Sequence, residues 1–257
     1  PPPPPPPPPP PFFSLTIRHT RLVSDWSSDV CSSDLKLWLV FFNFVKTEVS
    51  YFGHCQPPNL EFIDYILTPT DSHKHLGVTL SNTCKWSYHI DNIIMSSSKI
   101  LGIMRKIKFT VRRKALNQIY MSFLRPLLEY ASSVWDNCTQ NEKNRLEKIQ
   151  LEAARIVTGA TRSISLNNLY RETGWLTLSD RRLYQKLILM YNIKNSMVPS
   201  YLQDLFPRTS DNSTSYNLRN NNDFVSYPRR TVLFENSFVP SAIEAWNTLP
   251  EQLRNSQ

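Results

Sequence analysis

Apolar residues between positions 90 and 157 recur at helical spacing, and this periodicity constrains the fold more than any other feature. The runs are Ile90, Ile93, Ile94, Leu101, Met104 and Ile107, then Leu116, Ile119, Tyr120, Phe123, Leu124 and Leu127, then Leu146, Ile149, Ala153, Ile156 and Val157. Each run places one apolar stripe along a helix. Thr139 and Glu142 predict a capping box at the start of the third helix, and Gly159 predicts its end.

Shorter helices and strands are predicted on both sides of this bundle. Helices are expected from Ser165 to Thr173, from Ser179 to a point before Pro199, and from Ser241 to Leu249. The second of these is expected to face inward through Leu183, Leu187, Tyr191 and Ile193. Strands are expected over residues 46–52, 74–80 and 229–234, with a hairpin through Leu60, Phe62, Tyr65 and Leu67. The predicted class is mainly α with a small antiparallel β-sheet of three or four strands (α+β), with Trp135, Trp175 and Trp246 in the core.

The positive charge of the chain is concentrated in its helical middle. The 257 residues have a net charge of +8, and residues 83–200 alone contain nineteen Lys and Arg against eight Asp and Glu. This excess favours a polyanionic partner, although a solubilising surface explains it equally well. The chain has five glycines and neither GxGxxG nor GxxxxGK[ST], which disfavours a glycine-rich phosphate loop.

The densest part of this charge is a run of six cations in ten residues with no acid among them. The run consists of Arg105, Lys106, Lys108, Arg112, Arg113 and Lys114. It predicts contacts with nucleic-acid phosphates, with Phe109 and Tyr120 as stacking surfaces. The alternative is a solvated corner between two helices.

Metal, disulfide and membrane features are weak in this sequence. The cysteines at 31, 55, 84 and 138 show no CxxC spacing, so reduced thiols are expected. His73 and His75 alternate as on one strand face, with His54 and Cys55 upstream, but no second ligand pair completes a metal site. The apolar run 37–45 spans nine residues, too few for a bilayer. We therefore expect no metal site, no membrane partner and an intracellular location, in the cytoplasm or nucleus.

The first 35 residues are excluded from these expectations about the fold. Residues 1–11 are uninterrupted proline, which forms a polyproline II rod or is disordered and could serve as an SH3 or WW ligand. Residues 12–35 resemble a translated sequencing adapter, and a homopolymer beside such a segment fits an assembly artefact better than a ligand motif.

Two short motifs resemble the palm of a known polymerase family. Trp38, Asn43, Lys46 and Thr47, followed after 28 residues by His75-Leu76-Gly77, are similar to the last two palm motifs of non-LTR (jockey-like) retrotransposon reverse transcriptases. The resemblance implies that Lys46 could act as the general acid that protonates the pyrophosphate leaving group. It also implies that His75, Leu76 and Gly77 form a primer-grip-like turn. The alternative for Lys46 is a strand-edge lysine without a chemical role.

The resemblance extends over residues 36–257. The segments 125–135 (RPLLEYASSVW), 151–159 (LEAARIVTG), 178–182 (LSDRR) and 238–247 are similar to the region that follows the palm. The implied organisation is a disordered or artefactual segment (1–35), residual palm-edge strands (36–82), a helical thumb-like bundle (83–206), and a linker with a small strand and helix tail (207–257). The basic run then corresponds to the thumb, which follows the template–primer duplex.

The sequence departs from this family at the catalytic centre. Two-metal phosphoryl transfer needs carboxylates that hold the ions, and the intact family enzyme is expected to use Mg²⁺. Before residue 36 the chain offers only Asp25, Asp29 and Asp34, in the adapter-like segment. We therefore expect a fragment of an RNA-directed DNA polymerase without catalytic residues or cofactor, which retains RNA or DNA template–primer binding. The alternatives are a stand-alone helical nucleic-acid-binding module or a protein-interaction module, and the oligomeric state stays open.

Overall fold

The computed structural model describes residues 48–52, 60–62, 65–208 and 224–254. The chain divides into two compact units, one formed by residues 1–47 and 59–67 and the other by residues 48–58 and 68–257. In the first unit, strands β1 (Leu60–Phe62) and β2 (Tyr65–Leu67) pair antiparallel, with Leu60 opposite Leu67. The hairpin predicted here is confirmed.

The second unit consists of a β-hairpin followed by helices. Its described elements are β3 (Ser72–His75), β4 (Val78–Ser81), α1 (Ser87–Ile107), α2 (Arg113–Ile119), a π-helical turn (Tyr120–Leu124), α3 (Arg125–Glu129), α4 (Ser132–Trp135), α5 (Gln140–Thr158), α6 (Leu166–Thr173), α7 (Leu178–Lys194), α8 (Ser200–Gln203), α9 (Val232–Glu235), α10 (Phe238–Asn247) and α11 (Glu251–Arg254). The predicted mainly helical α+β class is confirmed. None of the helices in the described ranges combines the length and hydropathy that a membrane span requires.

Residues 74–80, predicted as one strand, instead form most of the β3–β4 hairpin. Leu76 and Gly77 make its two-residue turn, with φ angles of 45° and 86°. Two consecutive positive φ angles are typical of a type I′ turn, which reverses the chain direction. His75 pairs with Val78 directly beside the turn. A single strand cannot continue through this geometry.

The sheet is also smaller than predicted. Among the residues that the structure describes, β1 pairs with β2 and β3 pairs with β4, which gives two separate two-stranded sheets. Residues 48–52 contribute an isolated parallel bridge between Val49 and Pro69. Because Pro69 has no N–H to donate, it cannot extend a ladder at this point.

The prediction of a strand over residues 229–234 is wrong. Its second half belongs to the helical turn α9. The Thr231 hydroxyl accepts a hydrogen bond from the Phe234 N–H at 3.2 Å and so caps this turn. A short apolar run does not distinguish strand from helix by itself, and here the cap decides the outcome.

Helices α1 and α5 pack against each other, and α6 packs against α5. The stripe predicted for α1 is buried at Ile90, Ile93, Leu101 and Met104. The capping box of α5 is confirmed, because Thr139 Oγ1 accepts from the Glu142 N–H at 3.3 Å and Glu142 Oε2 accepts from the Thr139 N–H at 2.8 Å. The Ser87 hydroxyl of α1 donates to Glu142 at 2.8 Å, which joins the beginnings of the two helices.

The helix predicted from the apolar run between Leu116 and Leu127 contains a π-helical turn at Tyr120–Leu124. This wider turn shifts the buried face, which contains Leu116, Tyr120, Leu124 and Leu128 at intervals of four residues. Phe123, predicted to face inward, is 61% exposed. Leu128 is fully buried in place of Leu127, which is only half-buried.

The first half of helix α7 differs from its predicted pattern, because charged side chains are buried there and Leu183 is exposed, whereas Ile193 near the end of the helix is buried as predicted. Arg182 Nε lies 3.0 Å from Asp136 Oδ1, and Lys186 Nζ lies 2.7 Å from Asp136 Oδ2. Lys143 Nζ approaches the same carboxylate at 3.4 Å. Burial by itself would raise the pKa of Asp136, but the Lys186 hydrogen bond and the three cations lower this pKa below its ordinary value. Leu183, predicted to be buried, is 46% exposed.

The start of α7 also differs from the prediction. Thr177, not Ser179, caps the helix, because Thr177 Oγ1 accepts from the Asp180 N–H at 3.1 Å. The C-terminal half of α7 packs with α10 in a second apolar core that contains Met190, Ile193, Phe206, Phe224, Ala242, Ile243 and Trp246. The burial predicted for Trp135, Trp175 and Trp246 is confirmed.

Candidate nucleic-acid interface

Six cations lie where α1 ends and α2 begins. We call this group, Arg105, Lys106, Lys108, Arg112, Arg113 and Lys114, the basic corner, and all six side chains are exposed. The Ile107 carbonyl accepts from the Thr110 N–H (2.9 Å) and the Val111 N–H (3.0 Å), which ends α1 in a tight turn. Arg112 then adopts an extended backbone before α2 begins. The turn brings the cations of both helix ends to one corner of the bundle.

Two cations of the basic corner are neutralised by carboxylates from other helices. Arg105 Nη2 lies 3.5 Å from Glu152 Oε2 of α5. Arg113 binds Glu172 of α6 twice, through Nη1 to Oε1 at 2.8 Å and through Nη2 to the main-chain carbonyl at 2.9 Å. The sequence run has no acid of its own, so these partners become visible only in the fold.

The other four cations keep their charge free for an external anion. Within the part of the chain that the structure describes, Lys106, Lys108, Arg112 and Lys114 have no carboxylate within ion-pair distance. Exposed ammonium and guanidinium groups of this kind attract phosphates and release counterions on binding. The local excess is therefore a property of the folded surface as well as of the sequence.

The two aromatic residues predicted as stacking surfaces differ in accessibility. The Phe109 side chain is 89% exposed, and the Lys108 ammonium lies 4.6 Å from its ring centroid. Tyr120 is 1% exposed and stacks on Trp175 with ring centroids 3.6 Å apart. Its hydroxyl donates to Gln150 Oε1 at 2.6 Å, and burial raises its pKa. Phe109 can meet a base, whereas Tyr120 belongs to the core, and its prediction as a stacking surface is wrong.

The primer-grip-like residues His75, Leu76 and Gly77 lie at the tip of the β3–β4 hairpin. Their neighbour is Tyr130, whose hydroxyl donates to the Leu76 carbonyl at 2.7 Å. The turn shares a pocket of about 440 Å³ with α1 side chains between His89 and Ser96. The basic corner begins nine residues further along α1, roughly 14 Å away at the helical rise per residue. The structure therefore brings the turn to Tyr130 and to the middle of α1, and it does not bring the turn into contact with the basic corner.

The hairpin is joined to α1 through a buried histidine. His89 is 4% exposed, and its Nδ1 accepts from the Thr79 N–H of β4 at 3.3 Å. The Asn92 amide donates to the Thr79 hydroxyl at 3.3 Å. Burial lowers the pKa of His89, because a low-dielectric environment disfavours the charged imidazolium.

Several residues singled out in the sequence lie outside the described residues. These are Trp38, Asn43, Lys46 and Thr47 of the palm resemblance, and His54 and Cys55, which were considered as metal ligands. In the described part, His73 Nδ1 lies 2.7 Å from Glu48 Oε2, and the His73 and His75 ring centroids are 6.0 Å apart. The described residues contain no group of three or more His, Cys, Asp or Glu side chains that could hold a metal ion.

The sequence pattern did not point to Asn117, which lines a pocket at the basic corner. The pocket has a volume of about 300 Å³ and is lined by Arg113, Lys114, Asn117, Val157 and Thr173. Asn117 follows Arg113 by one helical turn, and this i, i+4 spacing was the available signal. Val157 and Thr173 come from α5 and α6, so no local pattern could have grouped them with α2.

The chain was compared with protein-family models, with curated proteins and with solved structures. None of these comparisons gives a match.

Proposed function

We propose that the helical unit binds the sugar–phosphate backbone of nucleic acid through the basic corner. The observation that carries this proposal is the set of four exposed cations, Lys106, Lys108, Arg112 and Lys114, at one helix junction without a carboxylate partner among the described residues. Such a surface neutralises phosphates regardless of base sequence. Binding is therefore expected to be salt-dependent and uniform across sequences.

The exposed ring of Phe109 supports contact with unpaired bases. It lies in the turn between α1 and α2, among the same cations. A basic surface with an accessible aromatic ring is typical of proteins that bind single-stranded segments, because every base can stack on such a ring. A primer–template with a single-stranded overhang is therefore the preferred partner in this proposal.

The resemblance to retrotransposon reverse transcriptases gives this binding a biological setting. In this proposal residues 36–257 correspond to the C-terminal part of an RNA-directed DNA polymerase, and the protein works in the cytoplasm or nucleus. The sequence contains no adjacent pair of aspartates, and the family needs metal-binding carboxylates for nucleotide transfer. We therefore expect no nucleotide incorporation by this chain on a primer–template with Mg²⁺ or Mn²⁺.

The test removes three of the four cations that have no carboxylate partner in the described part of the chain, and it leaves Arg113, which supports α6, in place. The variant K106A/K108A/R112A should bind an RNA–DNA primer–template more weakly by about tenfold or more at moderate salt, because three phosphate contacts are lost. The matched control is K74A/K85A/R230A, which removes three exposed cations outside the basic corner. Equal loss of affinity in both variants, with both folded, would reject the basic corner as the contact.

A second function class, protein interaction, is favoured by the outer face of α7. Leu183, Tyr184 and Ile188 are 46%, 60% and 42% exposed on this helix. A chain that binds no nucleic acid at low salt would favour this alternative over the proposal. Alanine variants of these three residues would then be the next to examine.

A further inference from the structure

We propose that the pocket between α2, α5 and α6 binds one backbone phosphate together with its attached sugar. This inference rests on the proposed function and names a specific contact within it. Arg113, Lys114 and Asn117 supply nitrogen donors to the pocket, and Val157 and Thr173 complete its wall. A volume of about 300 Å³ lies at the lower end of small-ligand sites, which suits one nucleotide unit better than a larger ligand.

Arg113 is held in place before any ligand arrives. Its two hydrogen bonds to Glu172, at 2.8 and 2.9 Å, fix the guanidinium against the end of α6. A guanidinium has five N–H donors, so those not directed at Glu172 remain available. Glu172 offsets the positive charge of Arg113. Because Lys114 adds a second positive charge, the three side chains together have a net positive charge. A fixed guanidinium loses little conformational freedom when it binds an oxyanion.

Asn117 presents a donor, and the structure fixes its orientation. The Trp175 indole N–H donates to Asn117 Oδ1 at 3.0 Å. Since an indole nitrogen can only donate, the oxygen must face Trp175 and the amide NH₂ is directed elsewhere. No protein acceptor for this NH₂ occurs among the described residues.

The other two residues that line the pocket, Thr173 and Val157, offer no free hydrogen-bond donor to a phosphate. The Thr173 hydroxyl is used at the end of α6, where it lies 3.0 Å from the Leu169 carbonyl and 3.2 Å from the Tyr170 carbonyl. Val157 is apolar and 4% exposed. The donors therefore come from α2, and the opposite wall is suited to the less polar sugar.

The test replaces the donor without disturbing its structural bond. In Asn117→Asp, one carboxylate oxygen can still accept from Trp175, while the amide donor becomes an anionic oxygen that repels phosphate. Affinity for an RNA–DNA primer–template should fall about tenfold or more, because a charge-assisted hydrogen bond is lost and a repulsion is added. The dependence of log K on log salt concentration should become shallower by about 0.9, the contribution of one phosphate.

The matched control is Gln118→Glu, which adds the same charge one residue away on the exposed side of α2. It should lower the affinity far less than Asn117→Asp does. If Asn117→Asp does not fold, Lys114→Met replaces it, with Lys108→Met as the control, because Lys108 is an exposed cation of the basic corner that does not line the pocket. Each variant is first checked by its thermal unfolding midpoint.

The outcomes separate the pocket from the proposed function. If the wild type binds nucleic acid and Asn117→Asp and Gln118→Glu lower the affinity equally, the pocket proposal is overturned and the basic corner remains the contact. Absence of wild-type binding to any nucleic acid would overturn both. Titration with inorganic phosphate distinguishes the sources: a shift of the Asn117 side-chain amide resonance without nucleic-acid binding would assign the pocket to a free anion and so contradict the proposal.

Discussion

The hydroxyl of Tyr130 donates a 2.7 Å hydrogen bond to the main-chain carbonyl of Leu76, across 54 residues of sequence. This bond joins the tip of the β3–β4 hairpin to the residue that follows α3. A Cβ atom added to Gly77 would lie 3.2 Å from Tyr130 Cε1. The primer-grip-like turn and the 125–135 motif, which the sequence presents separately, therefore form one contact in the fold.

Gly77→Ala should destabilise the protein by about 1–2 kcal/mol, because a φ angle of 86° is strained for any residue with a Cβ. The control is Gly102→Ala in α1, where an added Cβ meets no atom within 4 Å. There the substitution should stabilise by about 0.5–1 kcal/mol through better helix propensity. Urea unfolding measures both free energies, and the same sign for both variants would contradict the turn geometry.

Asp136→Asn should cost about 3–5 kcal/mol of unfolding free energy, because it leaves Arg182, Lys186 and Lys143 together without their shared carboxylate. Lys186→Met should cost clearly less, since Asp136 keeps two cations and the methionine retains the buried aliphatic stem. Chemical denaturation of the two variants provides the comparison. A larger cost for Lys186→Met than for Asp136→Asn would mean that the carboxylate is not the centre of this cluster.

Stability should decline as the pH falls below about 6.5, the ordinary pKa of histidine. The pKa of His89 is lowered in the folded protein, so the unfolded chain takes up the proton first. The contribution of His89 to the unfolding free energy is therefore fully present above its pKa in the unfolded chain, and it is lost as the pH falls toward its pKa in the folded protein. The lowered pKa of Asp136 predicts a second loss at pH values below about 4. Unfolding free energies of the wild type and His89→Gln between pH 8 and 5 test the first step, which should be smaller in the variant.

Local patterns predicted those parts of the fold that depend on local interactions. The helices α1 and α5 follow from apolar spacing, and the Thr139–Glu142 capping box follows from residues three positions apart. The predictions fail where distant partners decide the outcome. Arg182 faces inward because its guanidinium donates a hydrogen bond to Asp136, which lies 46 residues earlier.

The candidate site was predicted in part for the same reason. The basic run is visible in the sequence, and the fold leaves all six cations exposed. Glu152 and Glu172, which neutralise two of them, come from α5 and α6 and could not be matched to them from spacing. Tyr120 lies on the periodic apolar face of its helix, and its contact with Trp175 shows that periodicity was the better guide to its role.

The most direct test of the central claim is the salt dependence of binding to an RNA–DNA primer–template by the wild type and by K106A/K108A/R112A. A plot of log K against log salt concentration should be steep for the wild type and shallower by about 2.7 for the variant, since each phosphate contact contributes about 0.9 to the slope. Identical slopes for two folded proteins would contradict the account, because they would mean that the basic corner neutralises no phosphate.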